Sequence, residues 1–376
     1  ECPAKTITVE VSKALKATLD LSFGLRQGLF FIRKPQFYTS FAKQFKFLVS
    51  EKAYDDFGEY LIQHPNYSLL RSMGVDFTDV KGIVSKREDV FRSNLIERIP
   101  LFGRLAKASN RAFTGFANKF RMDVANDMIE KATKLGYTPE KDFHVFQAIG
   151  DYVNYGTGRG NLGKLENAAD VLNDVFWSPR LISSRLKILN PYTYINPKTP
   201  KFIRKEALKD LLGMGAFVLT TSGLGYIAGL DIETDPRSSD YLKQRSGKTR
   251  LDFGGGFFPY VVASARLITG ESKSPASGAV SSLTEGYKAP GRVGVVGNLL
   301  RNKLSPMVGF AYDLLQQKDF KGDPIEYPEA VVDLFVPMVV QDFTDIYKEE
   351  GISKLPLGAF GFIGAGVQSF DAPDSK

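Results

Sequence analysis

Three glycines in the segment 158–163 have the spacing of a phosphate-binding loop. Gly158, Gly160 and Gly163 match GxGxxG, the pattern with which dinucleotide-binding folds bring backbone amides to a pyrophosphate. That pattern requires a strand directly before it, whereas the apolar residues of 143–153 repeat at helical spacing. We therefore predict a glycine-rich turn between two helices, in which Arg159 and backbone amides face an anion.

A second phosphate-like motif, Gly247-Lys248-Thr249, has the ending of a P-loop. A P-loop also has a glycine five residues before the first of these, and this chain has Leu242 there. The motif is therefore incomplete, and the sequence does not indicate a nucleotide hydrolase.

Carboxylates that could perform acid–base chemistry are concentrated in residues 231–252. Basic side chains match them almost one for one, which favours a salt-bridged loop or short hairpin over an active site. A glycosidase that uses only carboxylates remains an alternative. The acidic residues are Asp231, Glu233, Asp235, Asp240 and Asp252, and the basic residues are Arg237, Lys243, Arg245, Lys248 and Arg250.

Side chains that bind metals or form disulfides are scarce. The chain has two histidines, His64 and His144, and one cysteine, Cys2. A zinc site needs a cluster of such ligands, and an internal disulfide needs a second cysteine. We predict no metal, no cofactor and no internal disulfide, and we assign no catalytic residue.

Basic residues outnumber acidic ones over most of the chain. The net charge is +7, but residues 309–376 carry twelve acidic and five basic side chains, which leaves +14 for residues 1–308. A basic body with an acidic end favours contact with anionic lipid or with DNA, without sequence preference, and a solvated surface is the alternative. The predicted contact residues are Arg159, Lys164, Arg180, Arg185, Lys187, Arg204, Lys205 and Lys209.

The elements that must position these groups are organised around an uncharged segment, residues 211–230. As a helix, its residues would rise roughly 30 Å, about the thickness of a bilayer's hydrocarbon core. Two interpretations are possible: a buried core helix, or a helix that enters a membrane or packs against another subunit through small residues. The glycines predicted to form that packing surface are Gly213, Gly215, Gly223, Gly225 and Gly229.

Helical periodicity dominates the rest of the chain. We predict a mainly α fold, an elongated multi-helix assembly with a small β element near residues 248–253. Pro337 is expected to kink an amphipathic helix over 330–350. Composition and charge divide the chain into an amino-terminal helical region (1–98), a basic helical region with the glycine-rich turn (99–200), a region with the apolar helix and a charged loop or hairpin (201–308), and an acidic carboxyl-terminal helical region (309–376).

Seven short motifs follow one another along nearly the whole chain, each of them weak alone. They are NYGTGRGNLGKL (154–165), FWSPRLISSR (176–185), IRKEALKDL (203–211), DPRSSD (235–240), GKTRLD (247–252), LSP (304–306) and VPMV (336–339). In this combination the chain resembles a large polyvalent protein-associated domain of bacteriophages and prophages, a module at the carboxyl end of very long phage polypeptides. A start at Glu1, without methionine, agrees with such a carboxyl-terminal piece.

The resemblance implies a protein that is packaged inside the virion and delivered into the host with the genome. We accordingly expect a non-enzymatic, ejection-type virion protein that assembles into an oligomer and helps to deliver the genome through the host envelope. Its expected partners are copies of itself, other virion, ejection or portal proteins, DNA and the host membrane. Its expected location is the inside of the capsid and then the host envelope. Two alternatives remain: a scaffold inside the capsid that binds DNA or the portal, and a module of a nucleic-acid or cell-wall enzyme.

Overall fold

The protein is mainly helical. The computed structural model describes residues 23–78, 102–285, 291–317 and 327–369, together with residues 12, 13, 16, 21 and 325. Within these residues, helices are accompanied by a few short antiparallel strands. The predicted fold class, mainly α with a small β element, is confirmed.

The α-helices vary widely in length. In chain order they are Phe23–Gln27, Pro35–Val49, Glu51–Gln63, Tyr67–Ser72, Phe102–Lys134, Phe143–Gly156, Ala169–Val175, Pro179–Leu189, Tyr192–Ile195, Lys201–Ile227, Phe258–Thr269, Gly291–Arg301, Pro306–Gln316, Tyr327–Asp333, Met338–Glu350 and Ala359–Phe362. Within the described residues, 3-10 helices accompany them at Leu29–Phe31, Gly163–Ala168 and Ile352–Gly358.

The described residues group into two compact units. One is formed by those among 18–172 and 178–217, and the other by those among 1–17, 173–177 and 218–376. The helix Lys201–Ile227 contributes residues to both units. The division of the chain into four regions, which was based on composition and charge, stays a prediction.

The first unit is built around aromatic side chains. Its longest helix, Phe102–Lys134, packs against Pro35–Val49 and Phe143–Gly156. Phe31 lies at the centre, with its ring 5.9 Å from the ring of Phe120 and 5.0 Å from that of Tyr152. All three residues are fully buried, which makes this cluster a main apolar contribution to the stability of the unit.

The second unit contains a four-stranded antiparallel sheet. Its strands are β1 (Asp231–Ile232), β2 (Gln244–Ser246), β3 (Thr249–Asp252) and β6 (Gly366–Ser369), arranged in the order β1-β2-β3-β6. Strand β3 lies within the predicted element at 248–253. A separate hairpin is formed by β4 (Glu271–Lys273) and β5 (Val280–Ser282).

Pro337 separates two helices where one kinked helix was expected. The helix Tyr327–Asp333 ends before it, and Met338–Glu350 begins directly after it. Proline has no backbone N–H, and its ring clashes with the preceding turn, so the helical hydrogen bonds stop here. The predicted kink is therefore a complete break.

Candidate functional site: the outer face of the helix 201–227

The apolar segment belongs to one long helix, Lys201–Ile227, whose two sides differ in exposure. Side chains on one side are buried, among them Ile203, Asp210, Met214 and Val218. These positions recur at intervals of four or seven residues and therefore share one face. We call it the inner face.

The opposite side of the helix is exposed, although most of its residues are apolar. Leu212 is 64% exposed, Leu219 65% and Ile227 81%. Single exposed leucines are common, but a continuous apolar row along one helix indicates a surface that a partner covers. We call this row the outer face; it consists of Lys201, Lys205, Leu208, Lys209, Leu212, Ala216, Leu219, Gly223, Tyr226 and Ile227.

Length and hydropathy alone would allow this helix to cross a membrane. In its most apolar stretch of 18 residues, however, only 28% is buried. A core helix of a soluble protein would be mostly buried. The interpretation as a buried core helix therefore applies to the inner face. The interpretation as a surface for a membrane or another subunit applies only to the outer face.

Two carboxylates on the inner face hold the helix to earlier parts of the first unit. Arg33 Nη2 lies 2.8 Å from Glu206 Oε2, and Arg33 Nε lies 2.7 Å from Asp210 Oδ1. Lys131 Nζ is 3.3 Å from Glu206 Oε2, and Tyr152 donates a hydrogen bond to Asp210. Because a buried charge is tolerated only when it is paired, this network fixes the first half of the helix in place.

The two carboxylates have opposite pKa shifts. Burial raises the pKa of Asp210 to about 6, and the cation of Lys34 opposes this shift only in part. Burial also acts to raise the pKa of Glu206, but hydrogen bonds from Lys209 and Arg33 outweigh it and lower that pKa to about 2. Glu206 is thus ionised at neutral and mildly acidic pH, whereas Asp210 titrates within that range.

Two of the predicted interface glycines pack against the protein's own chain. A Cβ added to Gly213 would lie 2.9 Å from Arg33 Cβ, and one added to Gly225 would lie 2.6 Å from Gln244 Oε1. The same Gln244 side chain donates a hydrogen bond from Nε2 to the Thr221 carbonyl at 2.9 Å. The assignment of these two glycines to a surface for lipid or another subunit is therefore corrected: they allow close internal packing.

The other three glycines differ from one another. At Gly215 and Gly223, no described atom beyond the neighbouring residues and the adjoining helix backbone lies within 4 Å of an added Cβ, and Gly223 belongs to the outer face. Gly229 has φ +82° just past the helix end, and the Leu230 N–H donates to the Gly225 carbonyl at 2.9 Å. This is the geometry of a Schellman termination, so Gly229 ends the helix instead of packing against a neighbour.

Three of the predicted phosphate-binding residues are buried. Arg159 is 3% exposed, Arg180 7% and Arg185 6%. Arg159 pairs with Asp76 at 3.3 Å, and Arg180 pairs with Glu166. The prediction that these three arginines contact DNA or lipid is therefore wrong, because they lie inside the protein, where Arg159 and Arg180 neutralise carboxylates of the same chain.

The remaining five predicted contact residues are at or near the surface. Lys164, Lys205 and Lys209 are exposed, and Lys187 and Arg204 are half-buried. The structure brings only Lys205 and Lys209 together on the outer face, one turn apart. Whether any of the five contacts a phosphate stays a prediction.

The sequence did not single out three residues that give the outer face its apolar character: Leu212, Leu219 and Ile227. A signal existed, because residues 201, 205, 208, 212 and 219 share one helical face. This signal does not identify the exposed face, because the segment 211–230 is apolar all round the helix. A polar side would have indicated which face meets solvent.

The glycine-rich turn after Gly156 follows a helix, Phe143–Gly156, as predicted. Gly158 has φ +81°, and a Cβ on Gly160 would lie 2.4 Å from the Ser184 nitrogen. The glycines therefore let the turn pass close to the helix that contains Ser184. The predicted anion at this turn is replaced by the carboxylate that pairs with Arg159.

The charged segment 231–252 is a salt-bridged loop with short strands, as predicted. Asp235 lies 2.7 Å from Arg237, and Asp240 lies 2.7 Å from Arg250. Hydrogen bonds from Arg237 lower the pKa of Asp235 to about 2. Asp235 is thus held as the ionised partner of a basic group, which is unfavourable for a general acid.

Metal ligands do not cluster in the part of the chain that the structure describes. Among those residues, no group of three or more His, Cys, Asp or Glu side chains is arranged to hold a metal ion. Cys2, the subject of the disulfide prediction, lies outside the described residues.

Comparisons of the chain with protein-family models, with curated proteins and with solved structures found no match. The resemblance to a phage module therefore stays a prediction based on the seven motifs. The outer face is the candidate site on geometry alone.

Proposed function

We propose that this chain is a non-enzymatic internal virion protein of a bacteriophage that assembles into an oligomer and helps to deliver the genome through the host envelope. The observation that carries the proposal is the outer face of the helix 201–227, an apolar row that the described residues of the chain leave uncovered. A protein that helps a genome through an envelope must expose, when isolated, the surfaces that it later buries against the envelope or against its partners. The phage context is supported by the seven motifs of the sequence.

A second exposed apolar row supports contact between copies. In the helix Gly291–Arg301, Val293 is 86% exposed, Val296 42% and Leu300 43%. Their spacing of three and four residues places them on one face. Apolar side chains in this arrangement favour helix-to-helix contact with another subunit.

The experiment that tests the proposal uses particles induced from cells whose genome encodes the chain. Particles would be purified on a density gradient, and peptides of this chain quantified by mass spectrometry before and after DNA release is triggered in vitro. We expect the chain in full particles and its loss from emptied ones. Detection only in the cell lysate, with none in purified particles, would remove the virion function and favour the enzyme alternative. Retention in emptied particles would favour the capsid-scaffold alternative.

A further inference from the structure

We infer that the outer face binds the surface of an anionic lipid bilayer, with the helix 201–227 lying in the plane of the interface and not crossing the membrane. The inference rests on the proposed function in one respect: it names the partner of the outer face, on which that function also depends. A helix of this length and hydropathy can either cross a bilayer or lie flat on its surface, and the inference chooses the second arrangement.

Charge and apolarity are segregated on this helix in a way that suits lipid. Lys201, Lys205 and Lys209 lie on the outer face, whereas the two acidic residues of the helix, Glu206 and Asp210, are buried on the inner face. Lys209 Nζ reaches Glu206 Oε1 at 2.9 Å, so Lys201 and Lys205 are the lysines of this face that a partner must meet. The helix is described in full, and its outer face carries no carboxylate. The partner must therefore be anionic beside the first turns and apolar beside the rest.

A lipid leaflet has both properties, because its phosphates lie directly above hydrocarbon. The long aliphatic stems of lysine side chains let the ammonium groups reach phosphates while leucines on the same face enter the apolar layer. Tyr226, which is 74% exposed, stands near the other end of the face. Its ring, apolar with one polar tip, is suited to the boundary between head groups and hydrocarbon.

Two other partners fit less well. A second copy packed through the same face would bring Lys201 and Lys205 against lysines or leucines, with no carboxylate on that face to pair them. DNA would supply phosphates but would leave Leu212 and Leu219 uncovered.

The packing of the inner face opposes a spanning arrangement. Arg33 is held both by Glu206 and Asp210 and by its close approach to Gly213. Further along, Gly225 is packed against the Gln244 side chain. A spanning helix would be surrounded by lipid and would have to break these contacts, which would leave buried charges unpaired. Lying flat requires only the outer face, which extends about 29 Å from Leu208 to Ile227 at 1.5 Å per residue.

Flotation of the full chain with vesicles tests the partner. The vesicles would contain phosphatidylcholine alone or mixed with phosphatidylglycerol, at low and high salt. We expect binding to the anionic vesicles that weakens with salt. Lys205→Gln should weaken partitioning about fivefold, since one lysine contributes about 1 kcal/mol near an anionic surface. Leu219→Glu should weaken it at least tenfold, because a leucine leaves the apolar layer.

Matched controls lie elsewhere on the surface. Lys141 is exposed outside the helix, and Leu135 is 59% exposed against 65% for Leu219. Lys141→Gln and Leu135→Glu should therefore leave vesicle binding unchanged. Because all four positions are exposed, circular dichroism should show the same helix content in every variant.

Cysteine labelling tests the orientation. In a Cys2→Ser background, Lys198→Cys and Asp231→Cys each place one thiol at an exposed position beyond either end of the helix. With the protein added to intact anionic vesicles, both thiols should react fully with a membrane-impermeant maleimide. Reaction of only one thiol until detergent opens the vesicles would show a spanning helix and overturn the inference.

Three other results would also overturn it. They are equal binding to neutral and anionic vesicles, lipid-free self-association that Leu219→Glu abolishes, and DNA binding through Lys205 without vesicle binding. The particle experiment above is independent of these measurements. A chain found in particles but indifferent to vesicles would remove only this inference, and a chain absent from particles but bound to vesicles would remove only the virion function.

Discussion

Arg33 occupies the space that a side chain at residue 213 would need: a Cβ on Gly213 would lie 2.9 Å from Arg33 Cβ and 3.0 Å from its Cδ. The guanidinium of the same Arg33 lies 2.8 Å from Glu206 and 2.7 Å from Asp210. One residue far away in the sequence thus combines a close approach to the backbone with two ion pairs. This combination determines which face of the helix 201–227 is inner and leaves the other exposed.

Leucine at Gly213 and leucine at Gly223 should have different effects on stability. Gly213→Leu is expected to lower the free energy of unfolding by about 1–3 kcal/mol, because the new side chain must displace Arg33. Gly223→Leu is the matched control: beyond the adjoining helix backbone, no described atom lies within 4 Å of its added Cβ, and leucine is the better helix former. It should change stability by less than about 1 kcal/mol, in the stabilising direction. Urea unfolding of both variants measures the difference, and equal losses would contradict the close packing at Gly213.

The sequence was sufficient to predict most helices and one strand, because their signals are local. The apolar residues of 116–128 recur at helical spacing, and Phe116, Phe120, Val124 and Met128 are fully buried as that spacing requires. Strand β3 was predicted, but its partner β6 was not. Leu251 pairs with Val367 across more than a hundred residues, and no local pattern encodes such a pairing.

The candidate site was predicted only in part, for a related reason. The sequence shows that Arg159 is positive but not that Asp76 lies opposite it in the fold. It shows that residues 211–230 are apolar but not that Arg33 and Gln244 cover one side of them. Exposure and charge pairing depend on contacts between distant segments, so they became visible only in the folded chain.

Arg159 and Lys164 lie in the same turn region and should respond differently to loss of charge. Arg159→Gln is expected to destabilise the protein by about 3 kcal/mol, because it leaves the carboxylate of Asp76 without its buried partner. Lys164→Gln should change stability by less than about 0.5 kcal/mol, since its side chain is exposed. Thermal and urea unfolding compare the two. If Arg159→Gln were as stable as the wild type, the ion pair between Arg159 and Asp76 would not contribute to the stability of the fold.

Val293 should contribute to contact between copies of the chain. Val293→Glu places a charge in the exposed apolar row of the helix 291–301 and is expected to shift the protein towards monomers, with a dissociation constant at least tenfold higher. Val171→Glu is the control, because Val171 is 64% exposed in a different helix. Sedimentation velocity over a range of concentrations measures both. Unchanged association in Val293→Glu would exclude this row as the contact.

Asp210 should make the stability of the protein depend on pH between about 4 and 6. Its pKa in the folded protein is about 6, against 3.8 for an ordinary aspartate, because burial disfavours the charged form. Between these values the folded state holds a proton that the unfolded state has released, so the contribution of Asp210 to stability increases as the pH falls through this window. Glu206 has its pKa lowered to about 2, so its stabilising contribution decreases only below about pH 4.5. This decrease is expected both in the wild type and in a variant that lacks the Asp210 carboxylate.

Asp210→Asn removes the titrating group and is the direct test. Between pH 7 and pH 4, the unfolding free energy of the wild type relative to this variant should rise by about 2–3 kcal/mol, the equivalent of a pKa shift of about two units. Urea unfolding of both proteins at several pH values in this range measures the relative change, so any constant effect of the substitution cancels. A difference that stays the same at every pH would mean that Arg33 keeps Asp210 ionised throughout, and that ion pairing outweighs burial at the inner face.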